Sequence, residues 1–419
     1  MRLVTLRELA SWSAVNDLVG KRHDKRWGRA CLNTRRSDGY SIAGWFEQNH
    51  EDRIRLVRET ILDRKPWSHL LRVQIPKKPG SSDLRAIDMP TVLDQARLYL
   101  LHDWLEGYAE QVLTKIAVGF RRGVQMYQTV LNAHTAMKKR PFVAVVDIAN
   151  FFDSIRWTLV DHVIEGLPAD HDVQDLLKDL VRVEVVERRS GSLLERRRGI
   201  PQGLSVSPIL ANLVLSGFDG VTAHNLSKLS ARLWRYCDDI VVPAPSSHAG
   251  DRAISVVRDQ LGRLGLAIKD GTGHVVNIRD EAAVWLGISL GPNGLDVPQS
   301  TIAAKITRLQ AKLDQGILGP TGTEDSLMSL DQYYRRIIGP ERSQEVILSI
   351  MGGLDLSVVP HTRKEGIDRL KELTGGHHDR GHNSLWIYSQ GKPDDSGERQ
   401  AGGPTQDGGA HVGPEGSGW

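Results

Sequence analysis

Two hydrophobic periods divide the chain. Residues 1–65 carry helical spacing and a basic cast, in patches such as 55–61 around a polar, glycine-containing middle. Residues 70–75 form a short strand-like run leading into Pro76-Lys77-Lys78-Pro79-Gly80-Ser81, a turn sequence that presents two cations. A return stretch at 84–88 stops at Pro90, and helical spacing resumes over 92–108 and 124–139. Residues 142–146 are continuously apolar, as in a buried strand, and the run ends at Asp147. The pattern is mostly helical over 156–189 and gives way to a basic loop bounded by Gly and Pro at 196–201. Ser207-Pro208 then opens a long apolar helix, with proline suited to its first turn. Residues 233–236 and 240–242 are short strands flanking Cys237-Asp238-Asp239, as in a tight hairpin. An amphipathic helix is predicted over 251–264, and a strand over 284–290 closed by Gly291-Pro292-Asn293-Gly294. Ser300 is the predicted cap of a helix with Ile302, Ile306, Leu309 and Leu313 on one face, and further helices run to about 370.

Composition adds bounds to this pattern. At 419 residues the chain exceeds one typical domain and predicts two or three packed lobes, and 40% apolar content suffices for a core. Net charge is only +3, but the stretch from Gly391 carries two cations against five carboxylates, so the rest stands at +6. Basic clusters at 21–29, 35–36, 77–78, 121–122, 138–140 and 188–198 could converge on a polyanion; singly, each reads equally well as solvated surface. Cys31 and Cys237 offer neither a disulfide framework nor metal-ligand spacing, and Cys237 reads as a small buried filler. No apolar run approaches membrane-spanning length, so a soluble cytoplasmic protein without membrane contact is expected. The final 29 residues hold nine glycines and few core formers, which predicts disorder. Before them, His377, His378, His382, Trp386 and Tyr388 read as a docked terminal loop, with a metal- or RNA-contacting patch as the sharper alternative.

The chemistry concentrates in acids placed where apolar runs stop. Val145-Val146-Asp147 ends a buried strand, and Asp238-Asp239 interrupts an apolar hairpin. Adjacent half-buried anions repel, and a cation resolves the conflict. Mg²⁺ suits such an all-carboxylate set, and two such ions would activate an attacking hydroxyl and stabilise a leaving oxygen in phosphoryl transfer. Taken alone, a helix cap and an Asp-Asp surface turn account for the same residues.

Three motifs in order overturn that bland reading. Asp147-Ile148-Ala149-Asn150-Phe151-Phe152-Asp153-Ser154-Ile155 resembles the first catalytic block of bacterial reverse transcriptases. The run Arg198-Gly199-Ile200-Pro201-Gln202-Gly203-Leu204-Ser205, continuing to Asn212, resembles their second block, and Tyr236-Cys237-Asp238-Asp239 resembles the Tyr-x-Asp-Asp turn. The resemblance covers roughly 70–290 and is to the lineage of group II intron, retron and defence-associated (DRT, Abi-like) enzymes. It implies an α+β right-hand polymerase fold: an N-terminal helical extension (1–65), fingers (66–140), an RRM-like palm (141–297), a helical thumb (298–372) and a C-terminal segment (373–419).

The resemblance also implies roles. Asp147, Asp238 and Asp239 would be catalytic and would hold two Mg²⁺ ions, with Mn²⁺ as the alternative. Phe152 would lie under the incoming sugar and exclude a 2′-hydroxyl. Gln202 and Gly203 would face the template base and nucleotide, and Lys77, Lys78 and Arg85 the triphosphate. Arg121, within the family-like Gly119-Phe120-Arg121, joins Arg198, Tyr236, Trp285 and Gly287 as expected primer and template contacts; the last two lie in a fifth block, Trp285-Leu286-Gly287-Ile288. In the fourth block, Leu264-Gly265-Leu266, the usual Lys-Thr ending is replaced by Lys269-Asp270-Gly271-Thr272, leaving Lys269 a weak candidate for the nucleotide site. The expected partners are an RNA template, structured and non-coding, together with dNTPs and a cDNA product; a homo-oligomer stays open. Without a recognisable endonuclease or zinc-bearing extension, the expectation is cDNA synthesis in phage defence. The alternatives are an intron-type maturase, protein-primed or template-independent synthesis, and a binding protein with a dead palm.

Overall fold

A computed structural model of the chain describes residues 3–19, 49–76, 84–314, 318 and 320–355. Lys77, Lys78, the basic stretch 21–29, the histidine-bearing segment and the glycine-rich tail lie outside the described residues.

The fold is mixed α+β. Strands β1 (Leu70–Pro76) and β2 (Leu84–Met89) pair antiparallel, so the predicted turn sequence does join two strands. β3 (Phe142–Asp147) follows, then β4 (Val185–Glu187) and β5 (Leu193–Leu194), which extend the first sheet to the order β2-β1-β4-β5 with β4 parallel to β1. β6 (Trp234–Tyr236), β7 (Asp239–Ala244) and β8 (Val275–Asn277) surround β3 in the order β6-β7-β3-β8. β9 (Ala283–Trp285), β10 (Ile288–Gly291) and β11 (Gly294–Asp296) make a small antiparallel sheet.

The unbroken apolar run of β3 has a simple cause. Its period-2 alternation sends Ala144 and Val146 into one core and Val143 into another, so both faces of the sheet are covered. The first core takes the helices Val92–Val112, Trp157–Glu165, Ser207–Val214 and Ser247–Arg263. The second takes Met126–Met137 and the helices Gln299–Asp314, Pro320–Ile338 and Pro340–Gly352. The helix Ser247–Arg263 starts at a Ser246 cap whose hydroxyl accepts from the Ala249 N–H. Among the described residues no helix is long and apolar enough to cross a membrane.

The segment 156–189 is mostly helical, as Trp157–Glu165 and His171–Arg182, and ends in β4, whose β-branched Val185 and Val186 pair with β1. Three local expectations need correction. The helix opened by Ser207-Pro208 breaks at Leu215 and resumes as Ser216–Ser227. The run 284–290 is a hairpin rather than one strand: Leu286 and Gly287 both take positive φ, +52° and +76°, the requirement of a two-residue primed turn. Ser300 lies inside the helix Gln299–Asp314, and the Pro298 carbonyl accepts from the Thr301 and Ile302 N–H groups in the first turn.

Candidate active site

Strand pairing brings the three aspartates together. Asp147 ends β3 and Asp239 begins β7, and the antiparallel register sets them directly opposite one another. Asp238 occupies the two-residue turn between β6 and β7, with Tyr236 paired to Asp239, and its carbonyl accepts from the Ile148 N–H at 3.2 Å. Cys237, fully buried, makes this turn with φ +59°, a conformation unfavourable for a residue with a Cβ.

The electrostatics are those of crowded anions. Burial pushes the Asp239 carboxyl up to about 7, helped by the charges of Asp238 and Asp147. The indole of Trp285 and the Leu286 N–H pull it partway back. The Trp285 nitrogen is buried and has no hydrogen bond of full geometry among the described residues, so its effect on Asp239 is one of proximity. Asp238 is also raised, first by burial and then by Asp147, with Arg85 on β2 acting in the opposite sense. Asp147 carries a cation already: Lys269 Nζ lies 2.8 Å from its Oδ2. The Lys269 loop is fastened there by its own N–H to the Asp147 carbonyl, and Thr272 Oγ1 accepts from the Asp147 N–H. Lys269 therefore sits on a metal-ligand candidate.

Among the described residues no group of three His, Cys, Asp or Glu stands in ready metal-ligating geometry. The donor set nevertheless fits a hard divalent ion: three carboxylates converge, Asp238 and Asp239 are raised by burial and by neighbouring carboxylates, and an ammonium already pairs with Asp147.

The second block folds against the first. Ile200 N–H donates to the Phe152 carbonyl at 2.8 Å, and Gly199 N–H to the Ile155 carbonyl at 2.7 Å. Phe152 is half-buried, its ring 5.3 Å from that of Phe151. Gln202 is held three ways: its amide donates to Asp153 Oδ2 at 3.0 Å, its N–H to Asp88 Oδ2 at 3.1 Å, and its carbonyl accepts from the Asp88 N–H at 2.6 Å. Gly203 has φ +104°, and a Cβ there would lie 2.9 Å from Ile87 Cγ2 and 3.1 Å from the Asp88 carbonyl, so only glycine permits this approach to β2. Alongside opens a cleft of about 430 Å³ lined by Arg72, Asp153, Glu195, Arg196, Arg197 and Arg198.

Other expected contacts are placed differently. Arg121 does not face the cleft: it donates to Glu110 at 2.8 Å and to the Thr114 and Ala117 carbonyls, which makes it a clamp on its own loop. Tyr236 is half-buried against Phe120, ring centroids 5.5 Å apart. Gly287 sits at the β9–β10 turn, where a Cβ would touch Thr301. No role was expected of Arg72 and Asp88, an ion pair with Asp88 fully buried, or of Arg235, Asp219 and Asn212, all buried beneath the β6–β7 turn. Their one signal in sequence is a charged or polar residue at an inward position of an apolar element.

Comparison with known proteins agrees with this geometry. Residues 75–289 match the model of the family described as reverse transcriptase (RNA-dependent DNA polymerase). Two putative COX1/OXI3 intron proteins of Saccharomyces cerevisiae, those of intron 2 and intron 1, are 26% and 23% identical over 153 and 147 residues. These stretches are 36% and 35% of this chain but only 18% and 17% of the yeast proteins. An apo telomerase structure from Candida tropicalis shares 12% identity at a TM-score of 0.42, over 54% of this chain and 53% of that one. With half of its length matched by the family model and the motif aspartates gathered at one sheet end, the chain belongs to the reverse transcriptase family.

Proposed function

We propose that this chain copies an RNA template into DNA by nucleotidyl transfer at Asp147, Asp238 and Asp239. The observation that carries the reading is the register that sets Asp147 opposite Asp239, with Asp238 in the adjoining turn. The three carboxylates would hold two Mg²⁺ ions, or Mn²⁺ in their place. Such ions lower the pKa of an attacking hydroxyl, here the primer 3′-OH, and stabilise the leaving oxygen. Arg85, close enough to Asp238 to lower its pKa, orients the triphosphate together with Lys77 and Lys78. Phe152 sits where a 2′-hydroxyl would clash, which selects dNTPs. Gln202 and Gly203 shape the floor under the template base. Lys269, paired with Asp147 Oδ2, would offer its ammonium to the phosphates of a bound nucleotide. The arginine-rich cleft follows the template backbone, where cations and not base-specific side chains supply affinity. In right-hand terms, β1 and β2 belong to the fingers (66–140), the β3 sheet to the palm (141–297) and the last helices to the thumb (298–372).

Purified protein supplied with a primed RNA template, dNTPs and Mg²⁺ should extend the primer, and Asp238→Ala should lower extension by about 10³-fold or more. Equal, weak incorporation by wild type and Asp238→Ala would sink the reading.

For the biological setting, the names of the yeast relatives favour an intron maturase-type enzyme over the phage-defence role that the sequence suggested. Sequencing the RNA that co-purifies with the protein separates them. Intron RNA supports the first reading, and a compact non-coding RNA copied into cDNA supports the second.

A further inference from the structure

The polar core beneath the catalytic turn has a geometry of its own. Arg235 and Asp219 are both 0% exposed, and Asn212 is 1% exposed. Arg235 Nε and Nη2 donate to the two carboxylate oxygens of Asp219 at 2.7 and 2.6 Å. Its Nη1 donates to Asn212 Oδ1 at 2.7 Å and to the Cys237 carbonyl at 3.0 Å. Asn212 Nδ2 in turn donates to the Gly119 carbonyl at 2.8 Å. The Arg235 backbone is tied to the same loop, donating to the Ile116 carbonyl at 2.9 Å and accepting from the Val118 N–H at 2.8 Å. The guanidinium thus joins the turn to two helices, and the Arg235 backbone and Asn212 tie them to the 116–119 loop.

The bond to the Cys237 carbonyl has the chemical consequence. That oxygen defines the plane of the peptide linking Cys237 to Asp238, and Cys237 holds it in a left-handed conformation that needs outside support. Fixing the plane fixes the direction in which the Asp238 carboxylate leaves the chain. A buried ion pair contributes little net stability compared with apolar residues of similar volume, but a fully hydrogen-bonded one specifies geometry. Only a planar fork can serve Asp219 and still reach both Asn212 and the turn; an ammonium cannot.

We propose that Arg235 is a positioning residue for Asp238, acting through the Cys237 carbonyl, with Asp219 and Asn212 orienting its guanidinium. The inference rests on the reading of Asp238 as a metal ligand of a polymerase. It is tested with Arg235→Lys and with Arg235→Met/Asp219→Leu, which removes both buried charges together. Each variant is measured for cooperative thermal unfolding, primer–template affinity by fluorescence anisotropy, Mn²⁺ binding by electron paramagnetic resonance without nucleotide, and dNTP kcat and KM. Folded variants should bind primer–template within about threefold of wild type, lose roughly thirtyfold or more in kcat at unchanged KM, and bind Mn²⁺ about fivefold more weakly. Wild-type kinetics in a folded variant overturn the proposal, as does lost kcat with unchanged Mn²⁺ binding. If neither variant folds, Asn212→Ala keeps the ion pair and should still lower kcat and Mn²⁺ affinity by about threefold; parity there overturns the proposal. Wild-type protein that binds Mn²⁺ but incorporates no dNTP removes the polymerase reading and leaves the Mn²⁺ comparison to decide the positioning role. Wild-type protein that binds no Mn²⁺ overturns both.

Discussion

At Asp239, burial and two neighbouring carboxylates raise the pKa to about 7 from an ordinary value near 4. The folded state therefore keeps a proton that the unfolded chain releases. The resulting stability is fully present below the unfolded pKa and is lost as pH rises through the folded one. Metal-free protein should show a thermal midpoint that falls between about pH 4 and pH 7, and Asp239→Asn should flatten that component of the slope. A divalent ion competes with the same proton, so Mg²⁺ should raise the midpoint more at pH 8 than at pH 6. Phe152 gives a second residue-scale expectation. If its ring is the barrier to a 2′-hydroxyl, Phe152→Ala should reduce the preference for dNTP over rNTP by roughly tenfold or more, read as a ratio of kcat/KM. Unchanged discrimination would place the sugar elsewhere.

At the scale of elements, the β6–β7 hairpin is held from behind as well as from below. Gly119 approaches it so closely that a Cβ would lie 2.9 Å from Tyr236 Cγ and 3.0 Å from the Cys237 nitrogen. Gly119→Ala must push the hairpin or the loop aside. Overpacking of this kind typically destabilises by about 1–3 kcal/mol, and here the shift falls on the turn that carries Asp238. Chemical denaturation should report that modest loss, while dNTP incorporation should fall by about tenfold or more in protein that is still folded. Loss of activity only in step with unfolding would show that the hairpin tolerates the push. The same close packing explains Arg121: bonded to Glu110 and two carbonyls, it shapes the loop that delivers Gly119.

Across the whole molecule, both faces of the β3 sheet are buried, which leaves its strand-end edge as the place where charge can gather. The arginine cleft beside the second block is lined by Asp153 of the first block, whose carboxylate accepts from the Gln202 amide. Replacing Arg197 and Arg198 with alanine should weaken binding to primed RNA of any sequence. It should also lower the slope of log affinity against log salt by about one for each phosphate that is no longer neutralised. An unchanged salt slope would take the template off this cleft.

The clustering of the three motif aspartates was legible in the sequence because its signal is local. Each stands where an apolar run stops, inside a motif whose spacing fixes it on a strand end or in a turn. The β1–β2 hairpin, β3 and most helices were legible for the same reason: period and turn residues act over a few positions. The Leu286–Gly287 turn was hidden, since one glycine in a short, mainly apolar run does not show that the leucine before it takes a left-handed conformation. β4 was hidden because its partner lies more than a hundred residues away. Lys269 on Asp147, the inward clamp of Arg121 and the Arg235–Asp219–Asn212 core depend on which segments pack together, and no local pattern encodes that. The sequence by itself determined which acids gather at the candidate site. Tertiary structure decided what aims them, because burying a charge is tolerable only where distant chain segments supply its hydrogen bonds.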